Sequence, residues 1–370
     1  MKEQPQRAPR PPLPGQVVLV LQGGGALGAY QVGVYRALHE AGIEPDWVIG
    51  TSIGAVNAAL IAGNLAEQRV ERLLAFWHRM QQQPRAGPTA WPGMDQLVSN
   101  LSTVTFGIPA FFTPNPAALC GVQAPVGMEA AAYYSTAPLR ETLESLVDFG
   151  RVARCEMRLT VGAVNARSGR MRYFDSRDET LTADHVMASG ALPPAFPAVR
   201  IDGDPYWDGG IYSNTPIEAV LDDRPRRSSL IFAVNVWHQQ GPEPASIWDV
   251  ISRQKDIQYA SRDDSHIARQ RQIHRLRHVI RELHKQIPAS RQASEQVREL
   301  ASWGCGTVMH VAHLVAPRLE GEDHTKDIDF SATGVGARLQ AGYRDTMRMI
   351  ERAPWEAPVD PIEGVIVHTC

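Results

Sequence analysis

Hydrophobic and polar positions sort the first third of the chain into alternating strand-like and helix-like runs. Val17-Val18-Leu19-Val20-Leu21 is an unbroken β-branched and leucine run, the pattern of a strand covered on both faces. From Ala29 to Ala41, Val32, Val34, Tyr35 and Leu38 recur at helical spacing, with Gly42 as the stop. Trp47-Val48-Ile49 predicts a second strand. Ile53 to Ala62 is apolar on every side, which predicts a central, buried helix. This βαβα opening predicts a parallel sheet with helices packed on it. Arg158 to Val164 and Leu230 to Val236 predict further strands of the same sheet.

Two regions break the pattern. From about Gln81 to Tyr134 the chain carries seven prolines between Pro84 and Pro125, with Trp91, Phe106, Phe111 and Phe112 and little charge. Proline this dense breaks regular elements, and aromatics this dense do not stay in water, so we expect an irregular flap over the active edge of the sheet; an ordinary packed insertion is the competing reading. Beyond Trp237 a helical pattern runs from Ser246 to Gln286, where Arg262, Arg269, Arg271, Arg275, Arg277, Arg281 and Lys285 outnumber the acids. Pro288 breaks it, and Ser331 to Arg352 predicts a last helix. The basic helix suits either contact with anionic lipid, and hence a peripheral membrane association, or a solvated or oligomer-facing surface. Residues 1–15, rich in Pro, Gln and Arg, lack the apolar centre of a secretory signal and are expected to be a disordered lead. The expected organisation is therefore a lead at 1–15, a main α/β domain at 16–236 and a mainly helical extension at 237–370.

Composition narrows the function classes. The 370 residues are 44% hydrophobic and 21% charged, with a net charge of −3. That is ordinary for a globular protein and gives no field that would favour nucleic acid. No apolar run approaches the roughly 20 residues that span a bilayer. Cys120, Cys155, Cys305 and Cys370 have no metal-type spacing and are expected to be reduced thiols, which fits a cytoplasmic location. No metal and no cofactor is expected.

The chemistry sits at two glycine turns. Gly50-Thr51-Ser52-Ile53-Gly54 fits the G-x-S-x-G elbow, in which a serine stands at a sharp strand-to-helix bend. A Cβ at Gly50 or Gly54 would crowd that bend. The helix beginning at Ile53 aims its positive end at Ser52. Gly23-Gly24-Gly25-Ala26-Leu27-Gly28 offers several N–H groups that can converge on one oxyanion. Serine needs a base. The late histidines, His238 after a strand and His266, His274, His278 and His284 along a charged helix, supply no clear candidate. Tyr206-Trp207-Asp208-Gly209-Gly210 does: Gly209 and Gly210 let the chain turn tightly and point Asp208 into the site. Burial would raise its intrinsic pKa of about 3.9 and make it a stronger base.

At these three motifs the sequence resembles the patatin-like phospholipases, over roughly Val17 to Val236. The resemblance implies a three-layer α/β/α sandwich around a mostly parallel sheet, here with a helical C-terminal extension like that of a bacterial subgroup. It also implies a Ser52–Asp208 dyad without histidine and an oxyanion held by the glycine loop (Gly23, Gly24, Gly25, Gly28). Ala188 to Pro197 looks like the family segment that precedes the acid motif and shapes the acyl pocket. Two positions depart from the pattern. Many members carry Asp before the triple glycine and Arg before its closing glycine, where this chain has Gln22 and Leu27, so the bracing of the loop is open.

Two other readings compete. Gly23-x-Gly25-x-x-Gly28 after a strand also spells the dinucleotide fingerprint. That site wants an acid at the end of the second strand, where Gly50-Thr51-Ser52 stands instead. A catalytically inactive lipid-binding or scaffold protein on the same fold is the other, and intact Ser52, Asp208 and glycine loop speak against it. The expectation is a serine acyl hydrolase cleaving lipid carboxylic esters, of phospholipase A or lysophospholipase type. The lipid, the acyl position and the oligomeric state are not written in the sequence.

Overall fold

A computed structural model describes residues 13–81, 103, 105–260, 263–360 and 362–369. Most of the N-terminal lead, the first part of the flap with Trp91, Arg262 and Cys370 lie outside the described residues.

The strands are β1 (Gln16–Leu21), β2 (Trp47–Thr51), β3 (Thr113–Pro114), β4 (Tyr134–Ser135), β5 (Arg158–Asn165), β6 (Met171–Asp175), β7 (Val199–Ile201), β8 (Asp204–Asp208), β9 (Ser229–Asn235), β10 (Met309–Val315) and β11 (Val365–Thr369). The helices are α1 (Ala29–Glu40), α2 (Ile53–Ala62), α3 (Ala66–Met80), α4 (Ala137–Leu146), α5 (Phe149–Ala153), α6 (Ala183–Ser189), α7 (Glu218–Leu221), α8 (Ile247–Ala260), α9 (Asp263–Gln286), α10 (Ala289–Gln292), α11 (Glu295–Ala301) and α12 (Ala332–Arg352).

Nine strands form one sheet in the order β11-β10-β9-β1-β2-β5-β8-β7, with β6 also on β5. The pairs from β11 through β5 are parallel, and those of β6, β7 and β8 are antiparallel. Helices cover both faces. Side chains alternate along a strand, so Val17, Leu19 and Leu21 pack on one face with residues of α1, α2, α3 and α12. Val18 and Val20 pack on the other with Val220, Leu221 and Ile267 of α7 and α9. This is the expected three-layer sandwich around a mostly parallel sheet.

The C-terminal region is largely helical, and it also supplies β10 and β11, which continue the sheet beyond β9. Helix α12 returns to lie across α1 so closely that a Cβ at Gly33 would come within 1.9 Å of the Leu339 carbonyl oxygen, and one at Gly342 within 2.0 Å of that of Tyr30. Residue 237, where the sequence suggests a division, lies two residues beyond the end of β9.

One point of register positions the site. β6 occupies one edge of β5 over Thr160 to Val164, so β2 and β8 share the other. β2 pairs up to Thr51 opposite Gly162, and β8 pairs from Asn165 back to Asp208 opposite Ala163. The two strands run toward each other along the same edge, and their final residues sit at consecutive rungs.

Candidate active site

Ser52 follows β2 and caps α2, with φ 56° and ψ −126°, a backbone conformation costly for a residue with a Cβ. The neighbouring glycines make the bend possible. A Cβ on Gly50 would lie 2.3 Å from the Gly54 carbonyl oxygen, and one on Gly54 would lie 2.3 Å from that of Leu21. Thr51 is fully buried and Ile53 begins α2 against the cavity. The Ser52 N–H donates to Ser189 Oγ at 3.0 Å.

Asp208 ends β8. Its N–H donates to the Ala191 carbonyl at 3.0 Å, and its Oδ1 accepts the Gly210 N–H at 2.7 Å. Gly209 passes so close to β5 that a Cβ there would meet the Gly162 carbonyl oxygen at 2.5 Å. Asp208 is 2% exposed, and the Ser52 side chain lies beside its carboxyl. Burial pushes its pKa up from 3.8 to about 6, against the opposing pull of the neighbouring Ser52 side chain and of the Gly210 N–H. Tyr259 lies beside it; burial, then the nearby Asp208 and Asp327 carboxylates, raise the phenol to about 12. No histidine lines this cavity among the described residues. His238 is half-buried elsewhere, its imidazole pushed down to about 4 by burial and by the cations Lys326 and Arg318.

The glycine loop is held from below by Gln22, which is completely buried. Its Oε1 accepts the N–H groups of Val236 at 2.6 Å and Trp237 at 3.0 Å. Its Nε2 donates to Thr215 Oγ1 at 2.7 Å and to the Tyr259 carbonyl at 3.2 Å. Leu27 is buried in the core. The bracing left open by the sequence is therefore a neutral carboxamide with both ends satisfied.

The four loop glycines are not equivalent. The Gly23 N–H is taken up by the Asn214 carbonyl at 3.2 Å, and its own carbonyl accepts from Asn214 Nδ2 and Trp237 Nε1. Gly28 ends the 3-10 turn Gly25–Gly28, where a Cβ would press within 2.8 Å of Ile53. The N–H groups of Gly24 and Gly25 have no partner among the described residues, and both glycines line the cavity that holds Ser52 and Asp208. Gly25 has φ +55°, and its following N–H, that of Ala26, is anchored on the Asp327 carbonyl at 2.8 Å.

The cavity measures about 200 Å³. Its far wall is aromatic: Phe112 packs against Phe111, Tyr134 and Phe196, and Phe111 also meets Phe330. Phe111, Phe112 and Tyr134 come from the described part of the expected flap. Leu192, Ala195 and Phe196 come from the segment expected to shape the acyl pocket. Ser189 carried no signal of its own in the sequence beyond membership of that segment. Tyr259 and Phe330 lie in the C-terminal region, remote from every motif.

Short stretches of curated proteins are similar to this chain. A patatin-like phospholipase domain-containing protein of Caenorhabditis elegans is 41% identical over 95 residues, 26% of this chain and 6% of that protein. A lysophospholipase of Aspergillus terreus is 65% identical over 46 residues, 12% of this chain and 3% of that protein. The chain thus spans only a small fraction of these relatives. VipD from Legionella pneumophila, a solved structure, is similar over 91% of this chain and 67% of its own, with 16% identity and a TM-score of 0.40. A family model described as patatin phospholipase matches residues 257–362. Another, described as patatin-like phospholipase, matches residues 19–221, more than half of the chain, and the chain belongs to the patatin-like phospholipase family.

Proposed function

We propose that this protein is a serine hydrolase of lipid carboxylic esters, of phospholipase A or lysophospholipase type, working through Ser52 and Asp208. The observation that carries the reading is the placement of the Ser52 side chain beside the buried Asp208 carboxyl at the rim of an apolar cavity lined by Gly24 and Gly25.

Asp208 accepts the hydroxyl proton as Ser52 Oγ forms a bond to the ester carbonyl carbon. The resulting oxyanion is met by the N–H groups of Gly24 and Gly25 and by that of Ile53 at the positive end of α2. Each well-placed donor is worth on the order of 3 kcal/mol in the transition state. As the tetrahedral adduct collapses, the bond to the leaving oxygen breaks and Asp208 returns its proton to that oxygen. Water then repeats the sequence on the acyl-enzyme: Asp208 takes its proton, the fatty acid leaves, and Ser52 regains the proton. The raised pKa of Asp208 serves both halves, because a base near 6 both accepts and releases a proton at neutral pH. The aromatic wall suits an acyl chain, which gains by leaving water.

A fluorophosphonate probe tests this. Wild type should be labelled, Ser52→Ala should not, and Asp208→Asn should react far more slowly. Lipid extracts incubated with wild type and with Ser52→Ala should differ by released fatty acid and the matching lysolipid or alcohol. A wild-type protein that takes no probe and releases no fatty acid favours the inactive binding or scaffold reading.

A further inference from the structure

The segment Ser189-Gly190-Ala191 touches both proposed reacting residues through separate bonds. Ser189 Oγ accepts the Ser52 N–H at 3.0 Å and donates its own proton to the Gly162 carbonyl at 2.6 Å. Two residues on, the Ala191 carbonyl accepts the Asp208 N–H at 3.0 Å. Gly162 is the residue that faces Thr51 across the β2–β5 ladder. One short stretch therefore fastens the nucleophile's backbone, the acid's backbone and the strand that lies beside both.

The stretch is itself rigid. Ser189 is fully buried and Ala191 nearly so. Helix α6 enters through a capping box between Thr182 and His185, and the His185 ring packs edge-on against Phe174 with centroids 4.8 Å apart. A support of this kind is what an off-minimum backbone needs, since a conformation like that of Ser52 persists only where its surroundings over-determine it.

The Ser52 N–H is also a donor that lies next to the reacting oxygen. Left free, it would compete for the charge that forms there from a direction set by the bend. Tied to Ser189, it leaves that charge to Gly24, Gly25 and Ile53. We infer that Ser189 is a positioning residue for the proposed ester hydrolysis: its hydroxyl, by bridging the Ser52 N–H and the Gly162 carbonyl, fixes the bend that aims Ser52 Oγ at Asp208 and at the incoming carbonyl. The inference rests on the hydrolase reading above.

The bond does not touch substrate, so its loss acts on turnover and not on binding. Removing one buried hydrogen-bond partner and loosening the aim of the nucleophile should lower kcat by about ten- to a hundredfold. Ser189→Ala removes the bridge; Ser189→Cys nearly preserves the volume with a poor bonding partner; Ser189→Thr keeps the hydroxyl. Each is assayed on a p-nitrophenyl ester of a short fatty acid. Active sites are counted by fluorophosphonate titration, so that unfolded molecules drop out, and melting temperature is recorded in parallel.

The expected result is that Ser189→Ala and Ser189→Cys lose kcat per titrated site with KM held within about twofold, while Ser189→Thr keeps more of it than either. A merely structural role would lower the melting temperature of Ser189→Ala and Ser189→Cys and leave kcat per titrated site unchanged, which overturns the inference. A wild-type protein inert to ester and probe overturns the hydrolase reading and takes this inference with it; an active wild type with fully active variants overturns this inference alone.

Discussion

Gln22 and Thr215 are joined by a 2.7 Å hydrogen bond between positions 193 apart in the chain. The bond ties the entry of the glycine loop to the turn that follows Asp208. The same carboxamide holds the first two N–H groups after β9, so one side chain sets three segments in register around the site.

Replacing Gln22 by Glu should be more damaging than its similar size suggests. A carboxylate can still accept from Val236 and Trp237, but it cannot donate to the Tyr259 carbonyl, and it would be a charge with no water around it. Such a change costs roughly 3 kcal/mol or more. Gln22→Glu should therefore lower unfolding stability by at least that amount in urea titration, and Gln22→Ala should do so by about 2–4 kcal/mol through two unsatisfied buried N–H groups. A Gln22→Glu protein as stable as wild type would remove the carboxamide from the account of how this loop is braced.

The pKa of Asp208 sets the pH dependence of the proposed reaction. Its ionised form accepts the Ser52 proton, and burial raises its pKa to about 6. Then kcat/KM should climb about tenfold per pH unit below that point and level off above it. Measured on a neutral ester, so that substrate ionisation plays no part, the midpoint should fall near 6. A midpoint near 4 would mean that the carboxylate is solvated during turnover, contrary to the burial described.

The same shift makes Asp208 a cost to folding. Folded Asp208 binds its proton more tightly than the unfolded chain does, so between about pH 4 and pH 6 the folded state carries more bound proton, and stability falls as pH rises through that window. Above it, an ionised carboxyl shifted from 3.8 to about 6 costs on the order of 3 kcal/mol. Asp208→Asn should therefore abolish turnover and raise stability by up to about 3 kcal/mol at pH 8, with the gain shrinking toward nothing at pH 4. Chemical unfolding at the two pH values checks it. An equal effect at both would show that the charge is not what changed.

The parts of the fold that were readable in the sequence were those with local causes. β1, α1, β2 and α2 announce themselves by unbroken or helically spaced apolar runs, and α12 starts at its Ser331 cap. The three motifs could be read because a glycine that a bend requires is visible as a glycine. β10 could not, since His310 and His313 interrupt its apolar run although both its edges are paired. β8 contains Pro205 and is short, so nothing in its pattern says that it runs head-on toward β2. Gln22 departs visibly from the family pattern, but its four bonds reach residues from 193 to 237 positions away, a distance no local pattern encodes. Ser189 was hidden for the same reason: a serine ending a short helix is unremarkable until Ser52 and Gly162 are placed beside it.

The crossing of α1 and α12 gives a test of whether the C-terminal region folds with the rest. At Gly33 and at Gly342 the partner helix's backbone occupies the space of a Cβ, within 1.9 and 2.0 Å respectively. Neither backbone can yield without separating the helices, so Gly33→Ala or Gly342→Ala should cost about 3 kcal/mol or more, at or above the upper end of ordinary overpacking. Gly336 lies on α12 with nothing within 4 Å of its added Cβ. There the same substitution should stabilise, by about 0.5–1 kcal/mol, because alanine loses less freedom on entering a helix. Urea unfolding of the three variants separates the effects: opposite signs at Gly342 and Gly336 on one helix follow from close contact between backbones, whereas a loss at both would reflect a helix that tolerates no change and a gain at both would mean that α12 does not lie against α1.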